Sequence, residues 1–214
     1  GRRQLEVTWD DVQKTIKDAI FERKFQYSSH VKMLDSKLKE KFEYEKGTAT
    51  MVSNHEIEIK RKDDTETKIW AENIVIATGA SAFVPPIPGL KDIDYLTADN
   101  LWDLTEQPKR LVVLGGGPIG SELSQAFGRL GTQVTQVEML PQLLAKEDPD
   151  AAQYLYDQLI KDGVDVRLNT TATAIEKTAE GKFIVLEKDG KQEKLPFDEI
   201  LIAVGRIANL KGFG

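Results

Sequence analysis

Residues Leu111 to Glu138 constrain the fold more than any other part of this chain. They read LVVL, then GGGPIG, then SELSQAFGRLG, then TQVTQVE. The apolar run Leu111–Leu114 is short and ends at glycines, as a buried strand can. It enters a turn where Gly115, Gly117 and Gly120 keep G-x-G-x-x-G spacing. A helical pattern follows, with Pro118 in the first turn, where its missing N–H costs nothing. A second β-rich run then ends at an acid, Glu138. Each glycine has its own task. Gly115 lets the chain turn tightly off the strand. Gly117 lacks a Cβ, so a pyrophosphate can approach the backbone. Gly120 lets the helix lie close to the sheet. Strand, glycines, helix and acid in that order predict a parallel βαβ unit that binds a dinucleotide, its phosphates at the helix N-terminus.

Glu138 lies 18 residues past Gly120. A carboxylate there accepts hydrogen bonds from the ribose hydroxyls of an adenosine and repels a 2′-phosphate. No arginine lies between Met139 and Glu147 to receive that phosphate. The motif therefore favours NAD over NADP.

The rest of the chain reads as helices and short strands. Thr8 and Asp11 resemble a capping box. Val12, Ile16 and Ile20, then Val31, Leu34, Leu38 and Phe42, form helical stripes, with a break or bend expected near Phe25 to Ser29 and Gly47 just past the helix. From Thr48 the period becomes two. Thr48–Val52, Glu56–Lys60 and Thr65–Trp70 read as a meander, followed by a buried strand over Asn73–Ala80. The stretch Pro85–Leu90 reads as a stiff connection, and a domain boundary is expected between it and Lys109. Beyond Glu138, Asp148-Pro149 starts a helix with Ala152, Leu155, Leu159 and Ile160 on its apolar face, and Gly163 stops it. Val164–Leu168 reads as a strand. Thr171–Glu176, Phe183–Lys188 and Gln192–Leu195 form a second meander, turned at Asp189-Gly190. Glu199–Gly205 reads as a buried strand.

Composition excludes several functions. The net charge of −6, without a dominant basic run, argues against nucleic acid as a partner. No apolar stretch approaches the roughly 20 residues of a membrane span. There is no cysteine and there are only two histidines, His30 and His55. A disulfide, a thiolate nucleophile or a thiolate metal site therefore has no residue to form it. A histidine metal cluster is not expected either, and no residue stands out as a catalytic acid, base or nucleophile.

The chain also echoes itself. Lys68–Gly79 aligns with Lys194–Gly205, 126 residues later, and each copy follows a meander. One reading is two buried strands of similar composition. The other is two related nucleotide-binding domains, in which case the first domain's glycine turn precedes Gly1 and the chain is an internal piece of a longer protein. The opening Gly-Arg-Arg-Gln, without an initiator Met, fits that expectation.

Three stretches carry a family resemblance: ENIVIATGASAFVPPIPG at 72–89, LVVLGGGPIGSELSQAFGRLGTQVTQVE at 111–138 and DEILIAVGRIANL at 198–210. Together they resemble the class I pyridine nucleotide–disulfide oxidoreductases, such as dihydrolipoamide dehydrogenase, mercuric reductase and glutathione reductase. The resemblance implies an α/β fold: a Rossmann-like three-layer NAD(P)-binding domain with a β-meander, over residues 106–214. Residues 1–105 would be the later part of an FAD-binding domain. Gly115, Gly116, Gly117, Pro118, Ile119, Gly120 and Glu138 would sit on NAD, and Ala172 and Gly205 would line its site. Ala49, Thr78, Gly79 and Ala80 would touch FAD. Glu122 either pairs with a flavin-side lysine near the nicotinamide or is a charge favoured by the helix dipole. Ala208 departs from the family, which often has proline there. The whole protein would be a cytoplasmic homodimer that moves hydride between NAD(H) and FAD and passes electrons to a disulfide or related acceptor. A non-catalytic nucleotide-binding module and a flavoprotein with another acceptor remain open as alternatives.

Overall fold

A computed structural model describes residues 7–38 and 42–214. By packing, the chain forms a smaller unit built on Gln13–Ala80 and Ala208–Gly214, and a larger unit built on Ser81–Ile207.

Helix α1 spans Trp9–Leu38. Its start is the expected capping box: the Thr8 N–H and hydroxyl donate to Asp11 Oδ2, and the Asp11 N–H donates back to Thr8 Oγ1. The break expected at Phe25–Ser29 is absent. The helix contains neither Pro nor Gly, and the Ser28 hydroxyl bonds back to Lys24 O, as serine does inside an unbroken helix. None of its residues is buried, so the two apolar stripes cover no core. Phe42 is described outside the helix.

Strands β1 (Thr48–Met51), β2 (Glu56–Lys60) and β3 (Glu66–Trp70) form the expected antiparallel meander. Gly47 is not a helix cap. A Cβ there would lie 2.6 Å from Lys60 O, so its bareness lets the chain approach β2. The strand expected over Asn73–Ala80 does not form: residues 71–79 carry no strand, and Val75 is 88% exposed. A buried parallel strand needs a hydrogen-bonding neighbour, and no described strand pairs with this segment. At β4 (Ala80–Ala82) the chain passes into the larger unit.

Residues 83–109 pack as irregular chain and two short 3₁₀ turns, which bury Leu90, Ile93, Leu96 and Leu101. Then follow β5 (Arg110–Leu114), α2 (Pro118–Arg129), β6 (Gln133–Val137), α3 (Pro149–Lys161) and β7 (Asp165–Arg167). The second meander is β8 (Thr171–Thr178), β9 (Gly181–Lys188) and β10 (Lys191–Phe197), and β11 (Glu199–Ile202) and β12 (Arg206–Ala208) end the series. Strands β11, β5, β6 and β7 lie in that order in a parallel sheet.

Alternation along β5 assigns the layers. Leu111 and Val113 join Phe127 of α2 and Leu159 of α3 in one core, and Val112 and Leu114 join Ile175, Ile184, Leu186 and Phe197 of the meander in the other. Helices, sheet and meander thus make the three layers of an α/β, Rossmann-like fold. Each fully buried Leu, Ile or Phe contributes about 1.5–3 kcal/mol. In α3, Asp148 caps the Asp150 N–H and Ala152 and Leu159 are buried, but Ile160 is half exposed rather than on the packed face. Asp189 and Gly190 both take positive φ, as a tight hairpin turn requires.

Candidate functional site

The glycine turn sits where β5 gives way to α2. Gly115 has φ +114°, and a Cβ there would strike the Ala203 carbonyl after β11. A Cβ on Gly120 would strike the Gly115 carbonyl. Gly120 therefore sets the close packing of the helix on the turn. Gly117 is the opposite case: nothing lies within 4 Å of its added Cβ, which would enter the cleft that opens here. It is also the residue before α2, with no side-chain cap, so the helix's first N–H groups stay available to an anion.

The cleft has a volume of about 750 Å³, within the usual range for a ligand pocket. Gly115, Gly116, Gly117, Pro118 and Ile119 line one side, with Glu138, Ala172 and Gly205. Gly120 lies behind the turn and is buried. Glu122 is exposed on α2 and is not among the lining residues. Of the residues expected on a flavin, all lie in the smaller unit or at its edge. The Thr78 hydroxyl donates to Asn209 O at 2.6 Å, the Asn209 N–H donates to Gly79 O, and Gly79 has φ +74°. Ala49 is in β1 and Ala80 opens β4.

Glu138 is held at the cleft edge by two backbone donors. Its Oε2 accepts from Gly116 N at 2.6 Å and its Oε1 from Leu140 N at 2.9 Å. Charge-assisted bonds of this kind are short and strong. Each carboxylate oxygen keeps lone-pair capacity for a further donor. Gly116 is fixed from the other side as well, because its carbonyl accepts from Leu144 N. A Cβ on Gly116 would lie 2.8 Å from Leu143 Cδ2 and 2.9 Å from Glu138 Cγ, so this glycine too has a steric task.

Several residues of the site escaped the sequence reading. Phe83, Pro85, Ile87 and Ala98 bring apolar surface to the cleft from the segment before β5, and Lys146 and Arg206 bring cations. Arg206 pairs with Asp99 at 3.5 Å. Nothing in their spacing marks them, since they reach the cleft only through tertiary packing. Gln136 is different. It is fully buried in β6, a position where parallel strands are ordinarily apolar, and that mismatch was visible in the sequence. Its Nε2 donates to Gly115 O at 3.1 Å and to Ser121 Oγ at 3.2 Å.

Residues 5–213 match the family described as Pyridine nucleotide-disulphide oxidoreductase. The chain is 35% identical over 165 residues to a mercuric reductase of Bacillus cereus, covering 77% of this chain and 25% of that protein. It is 36% identical over 178 residues to a dihydrolipoamide dehydrogenase of Chaetomium thermophilum, covering 80% and 35%. Among solved structures, the HOCl-induced flavoprotein disulfide reductase RclA from Escherichia coli aligns with a TM-score of 0.65 at 32% identity, over 77% of this chain and 36% of that one. The chain spans between a quarter and about two fifths of the length of the curated relatives it matches, from 25% to 39%.

Proposed function

The chain belongs to the pyridine nucleotide-disulphide oxidoreductase family, and from that premise we propose that its cleft binds NAD(H), in preference to NADP(H), as part of an FAD-dependent oxidoreductase. In the whole protein hydride moves between NAD(H) and FAD, and electrons reach a disulfide or related acceptor. By the same reading residues 106–214 form the NAD domain, residues 1–105 belong to the FAD domain, and the whole protein is a homodimer. One observation carries the reading: the glycine turn opens into the cleft with Glu138 held at its edge.

The bare position at Gly117 fits a pyrophosphate, because a Cβ there would occupy the space such a group needs. The uncapped N-terminus of α2 offers it N–H groups and the positive end of the helix dipole. Glu138 offers carboxylate oxygens to ribose hydroxyls while its bonds to Gly116 and Leu140 fix its position. Ala172 and Gly205 are wall residues of the NAD site. Ala49, Thr78, Gly79 and Ala80 are the flavin-side residues, and Glu122 serves that side or the helix dipole. When bound, the nicotinamide supplies or takes up hydride at its C4; the protein's part is position and electrostatics.

Fluorescence titration of the purified chain with NADH and with NADPH tests the reading. The expected result is saturable binding of both, tighter for NADH. Tighter NADPH binding would overturn the preference, and binding of neither would overturn the function.

A further inference from the structure

Gln136 is fully buried, carries no charge and lines no part of the cleft, yet it reaches the turn on which the cleft depends. It stands on the helix side of β6, the side on which Val134 packs among the residues of α2 and α3. The Gly115 carbonyl, which can only accept, sets the orientation of the amide: the atom 3.1 Å away is Nε2. The same nitrogen donates to Ser121 Oγ, and that hydroxyl lies 3.5 Å from Gly116 O. One side chain thereby ties the first two residues of the turn to the first turn of α2. The tie has a cost, because Gln136 Oε1 finds no hydrogen-bond donor among the described residues and is buried. A buried acceptor left unpaired is destabilising. A core glutamine with only a packing role would be better replaced by an apolar residue of its size.

We propose that Gln136 is a positioning residue for dinucleotide binding. It holds the Gly115–Gly116 peptides in the orientation that leaves Gly117 open to the phosphates and delivers the Gly116 N–H to Glu138. The proposal rests on the reading of the cleft as a dinucleotide site. It makes affinity fall in one substitution that leaves stability near level. Gln136→Met keeps the length and volume of the side chain, removes the unpaired acceptor and removes both donated bonds. Its melting temperature is expected to stay near level, because the unpaired Oε1 is removed while the buried Gly115 carbonyl loses its donor, and its affinity for NADH falls roughly three- to tenfold, the worth of one or two neutral hydrogen bonds. A residue that only fills space would show no loss of affinity in a folded variant.

The test compares unsubstituted chain, Gln136→Met and Ser121→Ala by NADH titration, thermal melting and amide hydrogen exchange at Gly116. Weaker NADH binding and faster exchange in folded Gln136→Met support the proposal. Unchanged affinity and exchange in that variant overturn it, while the function reading stands on the NADH binding of the unsubstituted chain. If the unsubstituted chain binds no NADH, the function reading fails, and exchange at Gly116 alone decides whether Gln136 holds the turn. Should Gln136→Met fail to fold, Ser121→Ala removes the relay from Gln136 to Gly116 O. Faster exchange at Gly116 in that variant then supports the proposal, and unchanged exchange overturns it.

Discussion

Single residues at the glycine turn carry separable tasks, and two substitutions distinguish them. Glu138 both holds Gly116 and faces the cleft. Replacing it with Ala is expected to weaken NADH binding by about 1–3 kcal/mol, the worth of a hydrogen bond to a charged group and its lost order. Because Lys146 lines the same cleft, the variant should lose less affinity for NADPH, narrowing the gap between the two nucleotides. Titration of both reads this directly, and an equal loss for both would show that Glu138 acts only through the turn. Gly120 has a steric task. Gly120→Ala puts a methyl against the Gly115 carbonyl, a backbone group that no rotamer change can move away. Overpacking of this kind costs about 1–3 kcal/mol. A lower urea midpoint together with weaker NADH binding is the expected pair of results. The tight turn at Gly115 and the close helix packing at Gly120 were legible in the sequence because each follows from spacing. The jobs of Gly116 and Gln136 were not, since they depend on the 143–144 loop and on which face of β6 meets α2.

Elements hold together through registers that the sequence marks unevenly. Arg110 at the start of β5 and Asp198 just before β11 join the two parallel strands at one end. Arg110 Nη2 lies 2.6 Å from Asp198 Oδ1, and the Arg110 N–H donates to Asp198 Oδ2 at 2.8 Å. These bonds hold the Asp198 carboxyl below the ordinary carboxylate range, against a burial that pushes it up. A carboxyl depressed in the folded state stabilises the fold above its unfolded pKa, and that contribution fades as pH falls through the folded value. The pair is partly exposed, with 34% of the Asp198 side chain accessible, so screening keeps its worth at about 0.5–1 kcal/mol. Asp198→Asn should therefore lower the urea midpoint at neutral pH and cost little once pH falls below the depressed folded-state value, where the carboxyl is protonated in both states. A loss that is the same at both pH values would exclude the ion pair as its source. The two meanders and the βαβ unit were readable from period and turn residues. The strand echo at 68–79 and 194–205 was readable only as sequence. Glu199–Ile202 becomes a strand because β5 lies beside it, whereas the matching segment at 73–79 has no such neighbour among the described strands. Helix α1 illustrates the same limit: its apolar stripes are real, but a stripe does not say what covers it.

At the scale of the whole molecule, the proposed nucleotide cleft can be tested apart from redox chemistry. The glycine turn, the cleft and the three layers behind it are complete within the larger unit, and they need nothing from a thiol. Across all 214 residues there is no cysteine, so a dithiol–disulfide exchange has no nucleophile in this chain. Its relatives carry names that include mercuric reductase and dihydrolipoamide dehydrogenase, and the chain covers 25% to 39% of those relatives. Fold alone does not transfer their chemistry, because activity resides in a site and not in an architecture. The expected outcome is that this chain binds NADH but does not turn over a disulfide. In a stirred assay with NADH, added FAD and an aromatic disulfide that releases a coloured thiol, the rate should match that of NADH and FAD without protein. A protein-dependent rate that scales with chain concentration would place redox chemistry within these residues. With no thiol present, it would have to run directly from flavin to substrate. NADH binding without such a rate would give the chain the role proposed for the Gly115–Gly120 turn and Glu138, holding and aligning the nucleotide.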